Sequence, residues 1–160
     1  MELQLFIDTL SRVIHISTAI ALVGGTAFVL FVLIPATGAL LDTEEKTLRA
    51  NVQQRWKRFV HVGIVLFIVS GFYNFITAIP NHKGDGLYHA LIGTKILLAF
   101  AMFFIASVLV GQSSAYHTMR KNRLFWLRVL VLLAFSIVAI SGFVKVRGTP
   151  EKPAAAEITR

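Results

Sequence analysis

The chain has 160 residues, 56% of them hydrophobic, and its 16 Lys and Arg against eight Asp and Glu give a net charge of +8. Its mean hydropathy of +0.71 is well above the usual range of soluble proteins. The absence of cysteine excludes disulfides, thiolate metal sites and iron–sulfur ligation. The composition therefore indicates a membrane protein rather than a soluble domain.

Four continuously apolar runs, at 13–34, 59–79, 87–111 and 129–144, make up most of the chain. A bilayer core needs about 20 helical residues, which the first three runs supply, whereas barrel strands would alternate apolar and polar residues. Arg128 and Lys145 flank the fourth run and can extend it by snorkelling. The sequence predicts an all-α integral membrane four-helix bundle with spans at about 10–34, 59–79, 87–111 and 124–146.

In chain order, an amphipathic lead-in at 1–12 precedes the first span, which Pro35, Thr37 and Gly38 are expected to end. A second helix is predicted from Asp42 to Arg58, because its acidic residues lie near the start and its basic residues near the end, as the helix dipole favours. A turn-rich loop at 80–86 separates spans two and three. The predicted single domain covers 1–147, and a flexible tail covers 148–160.

The basic residues are concentrated in two of the loops. Nine of the 16 Lys and Arg lie between apolar runs one and two or between runs three and four, whereas only Lys83 lies between runs two and three. This positive-inside pattern predicts cytoplasmic basic loops and places both termini outside, in a bacterial inner membrane by default. The expected partner is the lipid bilayer and not nucleic acid, with a minor alternative that the basic loops bind anionic lipid or a protein.

Glycines and other small residues lie where helices can approach closely. Gly24 and Gly25 are the clearest case in span one. The pattern favours close helix packing at this pair. The alternative is that it makes room for a flat cofactor beside the first span.

Lys95 is the only formally charged residue within the four apolar runs. A charge at membrane depth costs about 2.5–3.5 kcal/mol on insertion scales, so it marks a candidate functional site. Lys95 either snorkels to the outer headgroups or faces the bundle and meets an anionic group. No acidic residue lies within the runs, which favours an external counter-charge. The outer half of the spans also holds the polar residues Asn74 and Tyr88, and Tyr88 shares a helix face with Lys95.

His15 and His89 are predicted to lie at similar depth on spans that run in opposite directions. Two neutral imidazoles facing each other in a helix bundle are suitable axial ligands for haem iron. Arg12, one turn before His15, can pair with a haem propionate. His61 and His117 form a second candidate pair at the cytoplasmic side, where simple interfacial histidines are the favoured interpretation. Copper is the alternative metal, although only Met102 offers a thioether within a span.

A family resemblance is carried by a set of residues in fixed order along the four spans: His15, Gly24-Gly25, Phe28 and Pro35, then Arg58-Phe59 and Ser70-Gly71-Phe72-Tyr73-Asn74, then Gly93-Thr94-Lys95, and finally Leu127-Arg128 and Gly142. Over about 10–147 this order resembles the membrane domain of the copper-resistance protein D family and the related HemJ-type protoporphyrinogen oxidases. The resemblance implies an inner-membrane bundle with a site around His15 and Lys95. It also implies either haem association with porphyrinogen oxidation, or copper uptake or export.

The leading functional expectation is a membrane protein that binds haem b or a related tetrapyrrole in its outer half, for electron transfer or porphyrinogen-type oxidation. His15 and His89 would bind the iron, while Arg12 and Lys95 would neutralise propionates. The alternatives are a copper transport or resistance protein and a non-catalytic subunit of a larger membrane complex. The sequence leaves open whether the chain is an enzyme and whether it forms a homo-oligomer.

Overall fold

A computed structural model describes residues 1–38 and 41–148, apart from the side chain of Asn81. Its described part contains five α-helices and no β-strand. The bounds of the helices are Glu2–Thr37 (α1), Asp42–Ala78 (α2), Gly86–Val110 (α3), His117–Lys121 (α4) and Arg123–Arg147 (α5). Short 3-10 turns at Ile79–His82 and Ser114–Tyr116 connect them.

The four long helices α1, α2, α3 and α5 are each long and apolar enough to span a membrane. The predicted all-α four-helix membrane fold is therefore confirmed. Large apolar side chains such as Leu97 and Phe135, which are 71% and 72% exposed, cover the outside of the bundle. Such a surface suits a lipid environment and would be a liability in water. The predicted tail lies, apart from Gly148, outside the described residues.

Two helices extend beyond the predicted spans. Helix α1 begins at Glu2, so the amphipathic lead-in continues directly into the first span. Helix α2 runs without interruption for 37 residues, and the helix predicted at 42–58 and the span predicted at 59–79 form one element. At ~1.5 Å per residue this helix is about 55 Å long, well beyond a bilayer core of ~30 Å. Its first turns therefore project past the apolar part of the bundle.

The long helices form a closed cycle in the order α1, α2, α3, α5, because each packs against the next and α5 packs against α1. Consecutive long helices run in opposite directions. We call the end with the start of α1, the start of α3 and the end of α5 the terminal end. The opposite end, which carries the two basic loops, is the basic end.

A widened turn precedes the proline of α1. Residues Val29–Leu33 form a π-helical segment in which the Ile34 N–H donates to the Val29 carbonyl five residues earlier. Proline lacks an N–H and clashes with the carbonyl four residues before it, so a wider turn lets the helix continue through Pro35. Helix α1 then ends at Thr37, and Gly38 follows it, as predicted.

The main apolar core lies in the basic half of the bundle. Val29 and Leu30 of the π-helical segment are buried there with residues of α3 and α5, in a cluster that also contains Ile105, Leu109, Leu127 and Leu130. The widened turn therefore directs two side chains of α1 into the contact between α3 and α5. This packing joins three of the four long helices.

Small residues bring α1 and α2 close together. A Cβ atom added at Gly25 would lie 2.1 Å from the indole of Trp56, and one added at Gly63 would lie 2.9 Å from Leu22. The side chain from one helix thus fills the gap left by glycine on the other. The packing interpretation holds for Gly25, because Trp56 occupies the space considered for a flat cofactor. Gly24 has no atom within 4 Å of such a Cβ.

We expect Gly25→Ala to destabilise the bundle and Gly24→Ala to leave it unchanged or slightly more stable. The new methyl group at Gly25 forces the Trp56 ring to move, and overpacking typically costs about 1–3 kcal/mol. At Gly24 the methyl group meets open space, and alanine is the better helix former by up to ~1 kcal/mol. The free energy of unfolding in mixed detergent micelles measures both effects. Equal values for the two variants would contradict the close α1–α2 contact.

Candidate functional site

The ring of His15 lies in the contact between α1 and α2, in the terminal half of the bundle. Its Cε1 atom is 2.9 Å from the position of a Cβ added at Gly71, so only glycine admits the ring there. The ring of Phe67 lies against it, with 4.0 Å between the centroids and a tilt of 41°. His15 is half-buried as a result. The Ser70-Gly71 step of α2 forms the space for this imidazole.

The hydrogen bonds of Ser70 favour the tautomer of His15 that carries its proton on Nδ1. Ser70 Oγ lies 2.6 Å from the Leu66 carbonyl, to which it donates its single proton. His15 Nδ1 lies 3.1 Å from the same Oγ, which can then only accept. With Ser70 Oγ as the acceptor, neutral His15 carries its proton on Nδ1 and its lone pair on Nε2. Ser11 Oγ, which donates to the Ser70 carbonyl at 3.3 Å, adds a second cross-link between the helices.

Lys95 is half-buried on α3 and lies within electrostatic range of the His15 ring. Within the described ranges, no carboxylate forms a salt bridge with it. Of the residues selected from the sequence, Lys95 therefore lies near His15, and Tyr88 lies against His89.

The other predicted site residues of the terminal half are more dispersed. Arg12 is exposed on α1, and Asn74 is half-buried on α2. Tyr88 is buried, and its ring stacks on His82 with 3.6 Å between the centroids. His89 is exposed, and its ring meets the edge of Tyr88 at 5.5 Å. The ring next to His15 is Phe67, and the ring next to His89 is Tyr88. These contacts do not test whether the two histidines bind one iron, so that joint ligation stays a prediction.

The second candidate pair lies at the basic end. His61 is exposed and donates its Nδ1 proton to the Lys57 carbonyl at 2.7 Å, while His117 is exposed as the first residue of α4. Within the described part of the chain, no three His, Cys, Asp or Glu residues are grouped closely enough to hold a metal ion. A metal here would need ligands other than a cluster of such side chains.

A polar network closes the α1–α2 contact at the terminal end. The Tyr73 hydroxyl donates to Asp8 Oδ1 at 2.7 Å, and Gln4 Nε2 donates to the same oxygen at 3.1 Å. Gln4 also reaches the Tyr73 hydroxyl at 3.0 Å. Asp8 and Gln4 precede the first apolar run, so the pattern of the spans did not predict this network. The polar character of the lead-in was the only signal for it.

An ion pair closes the α3–α5 contact at the same end. Arg147 donates two parallel hydrogen bonds to Asp85, at 2.9 and 3.0 Å. Asp85 Oδ1 also accepts from the Tyr88 N–H at 3.0 Å and so caps α3. The Arg147 guanidinium, followed by this N–H, holds the pKa of Asp85 below its ordinary value of 3.8. Because 62 residues separate the partners, local sequence patterns carried no signal for this pair.

A small apolar void lies in the centre of the bundle, on the basic side of His15. Its volume is about 50 Å³, and side chains such as Leu22, Ile64, Met102 and Ala134 from the four long helices line it. Ligand pockets for cofactors and drug-sized molecules are typically about 300–1,000 Å³. A ligand of that size does not fit in this void.

Comparison of the chain with family models, curated proteins and solved structures gave no match. A function for this chain therefore has to be inferred from the chemistry of the site itself.

We expect Asp85→Asn to lower the melting temperature at neutral pH, because it removes the carboxylate that Arg147 binds and retains an amide that still caps α3. A carboxylate with a depressed pKa stabilises the fold fully above the ordinary value of 3.8, and this stabilisation disappears as the pH falls through the lower pKa of the folded state. The deficit of the variant should therefore shrink in acid. Melting curves in detergent at several pH values measure it.

Glu45→Gln is the matched control for Asp85→Asn, because Glu45 and Arg49 form a pair one turn apart on the exposed start of α2. Such pairs contribute only about 0.3–0.5 kcal/mol. The role given to Asp85 is wrong if the two variants melt alike at neutral pH, or if the deficit of Asp85→Asn does not change with pH.

Proposed function

We propose that this membrane protein binds a redox-active tetrapyrrole, haem b, in the terminal half of its bundle, with His15 as an iron ligand. The observation that carries this proposal is the hydrogen bond between His15 Nδ1 and Ser70 Oγ, which favours a proton on Nδ1. Histidines that bind metals almost always donate their other ring N–H to a neighbouring acceptor, which orients the ring and raises the basicity of the ligand nitrogen. Ser70 is such an acceptor, and Nε2 is left with the lone pair that a metal requires.

Lys95 supports the same proposal by its charge. An ammonium group in the terminal half, without a salt bridge in the described ranges, suits a haem propionate. Arg12, one turn before His15 on α1, supplies a second cation at the exposed side. These two side chains would hold and orient the anionic edge of the cofactor.

This chain fits haem through the chemistry of the candidate iron ligand His15 and of the cations Lys95 and Arg12. The central void of about 50 Å³ is too small for a porphyrin, so a tetrapyrrole held by His15 would have to lie outside that void. His89 remains the candidate for a second iron ligand. The bound iron would supply one-electron redox chemistry. Ser70 would accept a hydrogen bond from His15 Nδ1 and so leave Nε2 for the iron.

The alternative functions predict different contents of the purified protein. A copper transport or resistance protein would carry copper without haem, and a non-catalytic subunit would purify with a larger complex. Ligand chemistry favours haem, because imidazole is present and Met102 is the only thioether among the apolar runs.

Protein purified in mild detergent from haem-sufficient cells should show a Soret absorption band, and His15→Ala should abolish it. Ser70→Ala should weaken haem affinity by about 10–100-fold, as loss of a hydrogen-bond partner of a ligand histidine typically does. Added imidazole should restore the band to His15→Ala by replacing the lost ligand.

His61→Ala is the matched control, because His61 also donates its Nδ1 proton but lies at the basic end. It should leave the absorption band unchanged. A parent protein without a Soret band would reject haem binding, and stoichiometric copper in that sample would support the alternative. Equal losses in His15→Ala and His61→Ala would reject the assigned site.

We also propose that the protein lies in a bacterial inner membrane with both termini outside and the basic end in the cytoplasm. The concentration of Lys and Arg in the loops of the basic end supports this orientation. The absence of cysteine makes single-cysteine variants clean reporters.

A membrane-impermeant maleimide should label Lys83→Cys on intact spheroplasts and label Lys121→Cys only after lysis. Both parent side chains are exposed, so folding does not protect either position. The reverse labelling pattern would show the opposite orientation.

A further inference from the structure

A cleft opens at the basic end between the first half of α2 and the end of α3. Its volume is about 930 Å³, and one face of α2 forms most of its wall. We call it the α2–α3 cleft, and the residues that matter for its chemistry are Gln54, Lys57, Arg58, His61, Val62 and Val110. It is separate from the His15 site, which lies toward the terminal end.

The wall of the α2–α3 cleft changes from polar to apolar along α2. Amide and cationic side chains line it up to His61, and Val62 and Val110 continue it toward the core of the bundle. Trp56 and Phe59 stack on each other with 5.1 Å between their centroids at the same level of α2. Aromatic residues of this kind mark the interface between headgroups and hydrocarbon. The cleft therefore crosses the depth at which a phospholipid changes from headgroup to acyl chain.

The cations of this cleft lack carboxylate partners within the described ranges. The ion pair found at the basic end joins Glu45 to Arg49, outside the cleft wall, and neither Lys57 nor Arg58 forms a salt bridge there. His61 donates its Nδ1 proton to the Lys57 carbonyl, which leaves that carbonyl occupied. Two adjacent positive charges thus line a cleft that contains no acidic side chain among its wall residues.

Two arginine side chains elsewhere at the basic end have donors without partners. Arg120 Nη1 and Arg123 Nε are buried and have no hydrogen-bond partner within the part of the chain that the structure describes. Buried donors normally have partners, because leaving one unpaired loses the hydrogen bonds that it made to water. Neither arginine lines the α2–α3 cleft, so both add to the positive charge of the basic end and not to the cleft wall.

We propose that an anionic phospholipid occupies the α2–α3 cleft, with its phosphate against Lys57 and Arg58 and the start of an acyl chain against Val62 and Val110. Arginine binds phosphate with paired hydrogen bonds and lysine binds it as a point charge. Basic pockets between membrane helices are established lipid-headgroup sites in other proteins. The cleft volume lies within the range of single-ligand pockets, about 300–1,000 Å³, and so suits one headgroup with part of a chain.

Native mass spectrometry of the full chain in detergent, titrated with phosphatidylglycerol or phosphatidylcholine of the same acyl composition, tests this proposal. The parent protein should retain phosphatidylglycerol preferentially. Each basic residue near a lipid surface contributes about 1 kcal/mol, so the double variant Lys57→Gln/Arg58→Gln should bind phosphatidylglycerol about 30-fold more weakly.

The control variant Lys121→Gln/Arg128→Gln removes one Lys and one Arg from exposed positions of the same end, outside the cleft wall. It should keep its affinity within about fivefold. Equal losses in the two variants, or equal retention of the two lipids by the parent protein, would overturn the proposal. Displacement of the lipid by millimolar inorganic phosphate would also overturn it and identify a site for soluble phosphate. Circular dichroism checks that both variants fold.

Discussion

The close approach of α1 and α2 is the contact on which the rest of the bundle depends. Apolar burial alone drives helices together only weakly in lipid, because the lipid tails are as apolar as the side chains. Close packing and hydrogen bonds between helices have to supply the specificity. In this contact Gly25 receives Trp56, Gly63 receives Leu22, and Gly71 receives His15. The candidate ligand histidine is thus part of the structural contact, and its orientation follows from helix packing.

The bundle uses different interactions at its two ends. In the basic half, Val29 and Leu30 of the π-helical segment are packed into an apolar cluster with α3 and α5. In the terminal half, the Asp8–Tyr73 hydrogen bond ties α1 to α2, and the Asp85–Arg147 pair ties α3 to α5. Polar contacts therefore close the end at which His15 and Lys95 lie. A site that holds charge and a lone pair is compatible with a polar half, whereas it would disrupt an apolar core.

The fold could be predicted because hydropathy is a local signal. The predicted third and fourth spans, 87–111 and 124–146, differ by one residue at each end from α3 and α5, which are Gly86–Val110 and Arg123–Arg147. The start of α1 was predicted less well, since the helix continues through polar residues that no apolar pattern marks. The lengths and the number of the helices follow from such patterns. The order of the helices around the bundle does not follow from them, and this order decides which side chains meet.

The site shows this limit most clearly. The depth of a residue along a span can be read from the sequence. That depth marks His15 and Lys95 as candidates without any knowledge of how the helices pack. The partners of His15 could not be read in the same way, because Ser70 and Gly71 are 55 and 56 positions away and resemble any other small residues of a packed helix. The Ser70 hydroxyl can accept the proton of His15 only because the antiparallel register places it opposite. Register between helices is therefore the physical quantity that gives a histidine at the right depth its hydrogen-bond partner.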